Sequence, residues 1–233
     1  MAHQIKVGVL VSGGGSNLQA ILDACVASRI DARVVFAGAD NPAAGGLERA
    51  RKQRVSTFVV DYTAIHAQYR QDRGGFTLPT DCDWEYLLKR QRLRPIDDAP
   101  GQLASFFVPR LVAEARLLDR IAQYRIDLLV LGGFMRTLTP YFLDRFNPNH
   151  EEPRIMNIHP SLLPAFPGVD GYGDTFRYGC RVGGCTVHFV DYGEDTGPFI
   201  GQRAFTIEPG DTLEAVRRRG LALEWELYPE CIQ

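Results

Sequence analysis

An α/β fold, with a mostly parallel sheet and helices on both faces, is predicted by three observations. Apolar, β-branched runs of strand length alternate with segments at helical spacing. The first run ends in glycines that open directly into a helix. The runs read as strands buried on both faces, which parallel sheets require. Right-handed crossovers then make the architecture Rossmann-like.

The elements follow in order. "IKVGVLVS" is the first strand, and "NLQAILDACVAS" follows with Leu18, Ile21, Leu22 and Cys25 at helical spacing. "ARVVFAGA" is a second strand, "GLERARKQR" a second helix and "STFVVDY" a third strand. From Thr63 to Pro109 charges, glycines and prolines mix without a sustained period, so this stretch is expected to be a surface insertion. "LVAEARLLDRIAQYRI" resumes a helix and "DLLVLGGFM" a buried strand. Helix "PYFLDRF", strands "RIMNIH", "GGCTVHFV" and "FIGQRAFTI", and a closing helix capped by Asp211 and running towards Tyr228 complete the chain. Residues 1–233 are thus expected to form one domain, with 63–109 inserted in it.

Composition narrows the function. The 233 residues are 45% hydrophobic, enough for a sizeable core, and 26 basic against 28 acidic side chains leave a net charge of −2. No global field draws such a chain to nucleic acid or an anionic membrane, so an anionic ligand needs a local site. No apolar run is long enough to span a bilayer, and the start is a strand rather than a cleavable leader, so a cytoplasmic location is expected. The five cysteines are scattered with no C-x-x-C pair, which favours free thiols over zinc or disulfides.

Three motifs carry chemistry. "SGGGSN" (Ser12 to Asn17) lies between the first strand and first helix, where unpaired backbone N–H groups and the helix dipole favour an anion. No Gly-Lys-Ser/Thr follows, and Leu18 stands where a dinucleotide fingerprint needs its third glycine, so a single phosphate fits better. The alternative is a tight turn without a ligand. "MNIHPSLLPAFPG" places Asn157 and His159 two apart, on one face of a strand, as an oxyanion donor and a proton donor. Prolines stiffen the chain beyond them; the alternative is an ordinary hydrogen-bonded histidine at a strand end. "DYGEDTGP" follows another strand, and Asp195 in it can pair with the imidazole and raise its pKa. His188 reads as structural, and His3, His66 and His150 as surface residues.

Together with "GLERAR" and "LLVLGGFMRTLTP", these motifs occur in an order that resembles the phosphoribosylglycinamide formyltransferase family, folate-dependent enzymes of purine synthesis. The resemblance implies the formyltransferase fold. It implies small-molecule substrates, glycinamide ribonucleotide and 10-formyltetrahydrofolate, with no metal and no nucleic-acid or membrane partner; it leaves the oligomeric state open. It carries the phosphate site to Gly15, Ser16 and Asn17, and a ribonucleotide contact to Glu224. The folate wall falls on Met135, Arg136, Thr137 and Leu138. The closing loop falls on Asp191, Tyr192, Gly193, Glu194 and Asp195, and Arg110, from the first turn of a helix, reaches the folate tail. Asn157, His159 and Asp195 become the catalytic set, with protonated His159 hydrogen-bonding the oxyanion.

The chain departs from the family at "VDGYGDTFRYGCRVGG", where a histidine-bearing helix start is usual, at the 63–109 stretch, and at its end. Formylation of another amine, such as an amino sugar nucleotide, hydrolysis of the formyl donor, and a non-catalytic nucleotide-binding module are the competing readings.

Overall fold

Strands β1 (Ile5–Val11), β2 (Ala32–Ala39), β3 (Ser56–Val59), β4 (Leu128–Leu131), β5 (Ile155–His159), β6 (Val182–Phe189) and β7 (Phe199–Thr206) form one sheet. Its order is β3-β2-β1-β4-β5-β6-β7 in the computed structural model, which describes residues 4–149 and 151–233. The pairs from β3 through β5 are parallel, while β5–β6 and β6–β7 are antiparallel. The winding direction reverses between β1 and β4. In an open parallel sheet that reversal leaves a crevice at the carboxyl ends of the two strands, where neither crossover covers them.

Alternation along the strands sends side chains to two cores. Val7, Val9 and Val11 of β1, Val130 of β4 and Met156 and Ile158 of β5 pack with α1 (Ser16–Val26), α2 (Gly46–Lys52) and α8 (Leu213–Ile232). Leu10, Leu129, Leu131 and Ile155 face the other way. They meet α3 (Tyr62–Gln71), α5 (Pro100–Ile121) and α6 (Pro140–Phe146). Both faces are therefore buried, as a parallel sheet demands.

The 63–109 stretch is more regular than expected. It contains most of α3, all of α4 (Trp84–Arg90) and the first half of α5. Asp61 caps α3 by accepting from Ala64 N–H at 2.9 Å, and Asp83 caps α4 by accepting from Tyr86 N–H at 2.9 Å. Pro109 suggested a boundary because proline lacks the N–H that a helix interior uses. Here α5 runs through it, because Leu103, Phe107 and Leu111 are buried on one stripe with Leu87 of α4 and Tyr141 of α6. Burial outweighs the local break, and Arg110 consequently lies mid-helix rather than in a first turn.

Two further differences concern helix starts. The cap of α8 is Thr212, whose hydroxyl accepts from Ala215 N–H at 3.2 Å, one residue beyond the expected Asp211. Asp211 instead takes the Arg219 guanidinium at 2.8 Å. The stretch after Gly168 folds as α7 (Gly171–Tyr178), opened by the Asp170 side chain and closed by Gly179 at φ 84°. All five cysteines are free thiols.

Candidate active site

The crevice at the carboxyl ends of β1, β4 and β5 is built from three loops tied to one another. After β1 the chain turns through Gly15 at φ 70°, a left-handed conformation that glycine adopts without a Cβ penalty. A Cβ there would also lie 2.5 Å from the Gly46 Cα. Ser12 N–H donates to the Gly133 carbonyl at 3.0 Å and its hydroxyl accepts from Met135 N–H at 2.8 Å, which fixes the β1 loop against the β4 loop. The Arg136 guanidinium meets the buried Asp40 carboxylate at 2.5 Å and anchors the same β4 loop to the end of β2.

β5 and β6 supply the polar centre. Their antiparallel register sets Asn157 opposite His188 and His159 opposite Thr186, so these four share one face. Thr186 Oγ1 donates to the Ser161 carbonyl at 2.8 Å and accepts from Leu163 N–H at 3.0 Å, holding the proline-rich loop beside the strand. Asp195, at φ 55°, comes in from the loop after β6. Its Oδ2 lies 3.0 Å from His159 Nδ1 and accepts from Gly168 N–H at 2.9 Å.

His159 is 3% exposed, and its Nε2 lies 2.8 Å from the Phe166 carbonyl oxygen. Both ring nitrogens therefore face acceptors, an arrangement satisfied only when both carry hydrogen. Burial opposes that charge, but the hydrogen bond and charge of Asp195, with the Phe166 carbonyl, raise the His159 pKa above its ordinary value. Burial, which lowers the pKa of His159, by itself would raise that of Asp195. Hydrogen bonds from His159, His188 and Gly168 N–H outweigh it and hold the carboxyl well below the usual carboxylate range. The pair is an imidazolium beside a carboxylate.

The structure brings most expected site residues together. Asn157, His159, Asp195, Met135, Arg136, Thr137, Leu138, Asp191, Gly193 and Glu194 all line one cleft. Two expected folate contacts do not line it. Tyr192 turns its hydroxyl to Asp144 at 2.5 Å and lies beneath the Arg90 guanidinium of α4. Arg110 stacks on Phe106 at 3.7 Å and donates to the Phe106 carbonyl at 2.7 Å, within its own helix. Gly15, Ser16 and Asn17, at the start of α1, and Glu224 do not line the cleft either; the Ser12–Met135 bond is what ties the β1 turn to the cleft wall. Asn17 is joined to Glu224 by an Nδ2–H donation to Oε2 at 2.8 Å.

Other site residues escaped the sequence reading. His188 has its Nε2 3.3 Å from Asn157 Nδ2 and 3.5 Å from Asp195 Oδ1, so it touches two members of the set. Its register opposite Asn157 was the available signal. His66 is half-buried on α3 rather than a surface residue. Burial, with the nearby Arg110, Arg136 and Arg70, lowers its pKa to about 4. His3 and His150 lie outside the described residues.

Tyr172, from the unfamiliar stretch, donates its hydroxyl to Glu224 Oε1 at 2.7 Å. Glu224 is 4% exposed, and burial raises its pKa despite the donors Asn17 and Tyr172. Gly171, just before Tyr172, sits so close to His159 that a Cβ there would lie 3.0 Å from Nε2. One chain of contacts thus leads from the imidazole to the start of α1.

Comparison with known proteins agrees with this geometry. Residues 5–232 match the family model described as formyl transferase. A phosphoribosylglycinamide formyltransferase from Bacillus subtilis is 31% identical over 228 residues, covering 98% of this chain and 93% of that protein. The crystal structure of glycinamide ribonucleotide transformylase 1 from Symbiobacterium toebii superposes with a TM-score of 0.75 at 39% identity, covering 100% of this chain and 87% of that one. Within a longer relative, the trifunctional purine biosynthetic protein adenosine-3 of Chironomus tentans, the similar region is 13% of the length at 29% identity. With the cleft, the sheet order and a match running from β1 to the end of α8 all in accord, the chain belongs to the formyl transferase family.

Proposed function

We propose that this protein transfers a formyl group from 10-formyltetrahydrofolate to the primary amine of glycinamide ribonucleotide. The observation that carries the reading is the buried His159–Asp195 pair beside Asn157 in a cleft that also holds the Met135–Leu138 wall. The reading treats residues 1–233 as one domain carrying 63–109 as an insertion.

The neutral amine attacks the formyl carbon, and the carbonyl electron pair moves onto oxygen. Collapse of the tetrahedral intermediate breaks the bond to the folate N10, which takes up a proton as the attacking nitrogen loses one. Asn157 Nδ2 carries two hydrogens and has one close partner, His188 Nε2 at 3.3 Å, so at least one hydrogen remains for the oxyanion. A preorganised donor of this kind is worth about 3 kcal/mol of barrier.

The part played by His159 depends on its Nε2 partner. Its Nε2 is held by the Phe166 carbonyl, so in this conformation the imidazolium stabilises the oxyanion by its charge, and direct donation requires Nε2 to exchange that carbonyl for the oxyanion. Asp195 keeps the ring charged and oriented. The apolar Met135, 61% exposed at the cleft edge, offers a surface for a flat ring.

A steady-state assay with 10-formyltetrahydrofolate and a panel of acceptors tests the reading. Formylated glycinamide ribonucleotide should accumulate with a kcat/KM well above that for amino sugar nucleotides or water. Turnover with water alone would make the protein a hydrolase, and ligand binding without turnover would make it a non-catalytic module. His159→Ala should lower kcat by at least about two orders of magnitude while the ribonucleotide still binds.

A further inference from the structure

We infer that Arg49 of α2 is the cation that neutralises the acceptor's phosphate, an assignment that rests on the formyl-transfer reading above. The turn after β1 supplies backbone donors but no full charge. The first intrahelical bond of α1 is Gln19 N–H to the Gly15 carbonyl at 3.0 Å, so the N–H groups of Ser16, Asn17 and Leu18 have no partner within the helix. Gly13 and Gly14 have open space where a side chain would stand, and no side chain caps the helix. A helix end offers only about half a positive charge, whereas a phosphate monoester carries between one and two negative charges near neutral pH.

Arg49 lies against this turn. Its Nε donates to the Gly14 carbonyl at 2.7 Å, its Nη1 reaches Gln19 Oε1 at 3.4 Å, and its Cδ comes within 3.7 Å of where a Cβ on Gly15 would be. A guanidinium has five N–H donors. These two contacts, both to neutral oxygens, leave the rest unused, and Arg49 makes no ion pair among the described residues. Arg51 and Lys52 on the same helix face Glu48 instead, at 3.9 Å each. Of the carboxylates near the turn, Asp23 accepts from Gln19 and Glu226 pairs with Arg203, so neither is spent on Arg49.

The approach is built into the backbone. Gly46 N–H donates to the Gly13 carbonyl at 3.0 Å, and the Gly15 and Gly46 backbones meet with no room for a Cβ at Gly15. Glycine at both positions lets α2 start against the phosphate turn, one helical turn before Arg49. A second group marks the same place as a ligand site. Asn17, 7% exposed, leaves its buried Oδ1 without a partner while its Nδ2 is held by Glu224, and a hydroxyl of a sugar attached to the phosphate would satisfy it.

The test compares an acceptor with and without its phosphate. Arg49→Met and Arg49→Lys are assayed with glycinamide ribonucleotide and with the unphosphorylated glycinamide riboside. In Arg49→Met the ratio of kcat/KM for the phosphorylated over the unphosphorylated acceptor should fall at least about tenfold, the equivalent of about 1.4 kcal/mol, through KM of the ribonucleotide. Arg49→Lys should fall less, because it keeps the charge but not the fork. An unchanged ratio, with both acceptors losing equally, would mean that Arg49 only braces the turn, and the assignment would be wrong. Titration with ribose 5-phosphate gives a readout independent of turnover, and Arg49→Met should weaken it by a similar factor. If the wild-type protein transfers no formyl group yet loses ribose 5-phosphate affinity on this substitution, the reaction is refuted and the role of Arg49 stands. Equal ribose 5-phosphate affinity in the two proteins refutes Arg49 alone.

Discussion

At the scale of single residues the decisive feature is the proton count on His159. An imidazole with a carboxylate at Nδ1 and a carbonyl at Nε2 satisfies both oxygens only as the cation, so the fold favours the protonated ring before any ligand arrives. The pairing also couples stability to pH. The His159 pKa is raised from 6.5, so its contribution is complete below that value and is lost as pH rises through the folded one. The Asp195 pKa is lowered from 3.8, so its contribution is present above that value and is lost as pH falls through the folded one. Asp195→Asn removes the charge that favours the imidazolium. The alkaline limb of kcat/KM against pH should move to lower pH, with the rate at neutral pH falling at least about a hundredfold. A limb that stays in place would show that Asp195 does not control His159.

At the scale of elements, three helices converge on one buried carboxylate. Glu224 of α8 accepts from Asn17 of α1 and from Tyr172 of α7. This ties the "VDGYGDTFRYG" stretch through Glu224 to Asn17 at the start of α1, while Gly171 in the same stretch lies against His159. Tyr172→Phe takes one donor from a carboxylate with almost no access to water, which should cost about 1–3 kcal/mol. Thermal denaturation should show a drop in Tm of about 2–10 °C, and an unchanged Tm would mean that the hydrogen bond contributes nothing. The loop after β6 is held at the element scale too: Asp144 of α6 and Arg90 of α4 flank Tyr192, three residues before Asp195. The 63–109 stretch therefore reaches the loop that carries the carboxylate, although nothing in its composition announced a contact there.

At the scale of the whole molecule, the reversal of winding between β1 and β4 creates the crevice, and the antiparallel pair β5–β6 lines it with Asn157, His159, Thr186 and His188 on a single face. The helices of the 63–109 stretch share a core with the rest of the chain rather than standing apart from it. Phe107 is fully buried among Leu87, Leu103, Leu111 and Tyr141, with the Trp84 ring edge-on at 6.1 Å. Phe107→Ala should cost about 3–5 kcal/mol. Calorimetry should record one transition at lower temperature. An early, separate melting step would show that the stretch unfolds on its own.

Much of this was legible in the sequence, and for local reasons. Strand period, helical spacing and the glycine turn depend on neighbours in the chain, so β1 to β3, the parallel sheet and the Asn157–His159 face were readable from "IKVGVLVSGGGSN" and "MNIH". A sequence also fixes residue chemistry, so Asn157, His159 and Asp195 were nameable as candidate donors and partner, and the resemblance to the formyltransferase family joined them as one set. What depended on contacts between distant segments was not readable. The run of α5 through Pro109 is decided by burial against α4 and α6. Tyr192 is turned from the cleft by Asp144, 48 positions away, Arg110 turns to Phe106 because α5 continues through Pro109, and the Tyr172–Glu224 bond joins residues 52 positions apart. Only the packed structure decided the state of His159, because its charge depends on which oxygens are brought to both sides of the ring and on how completely water is excluded from them.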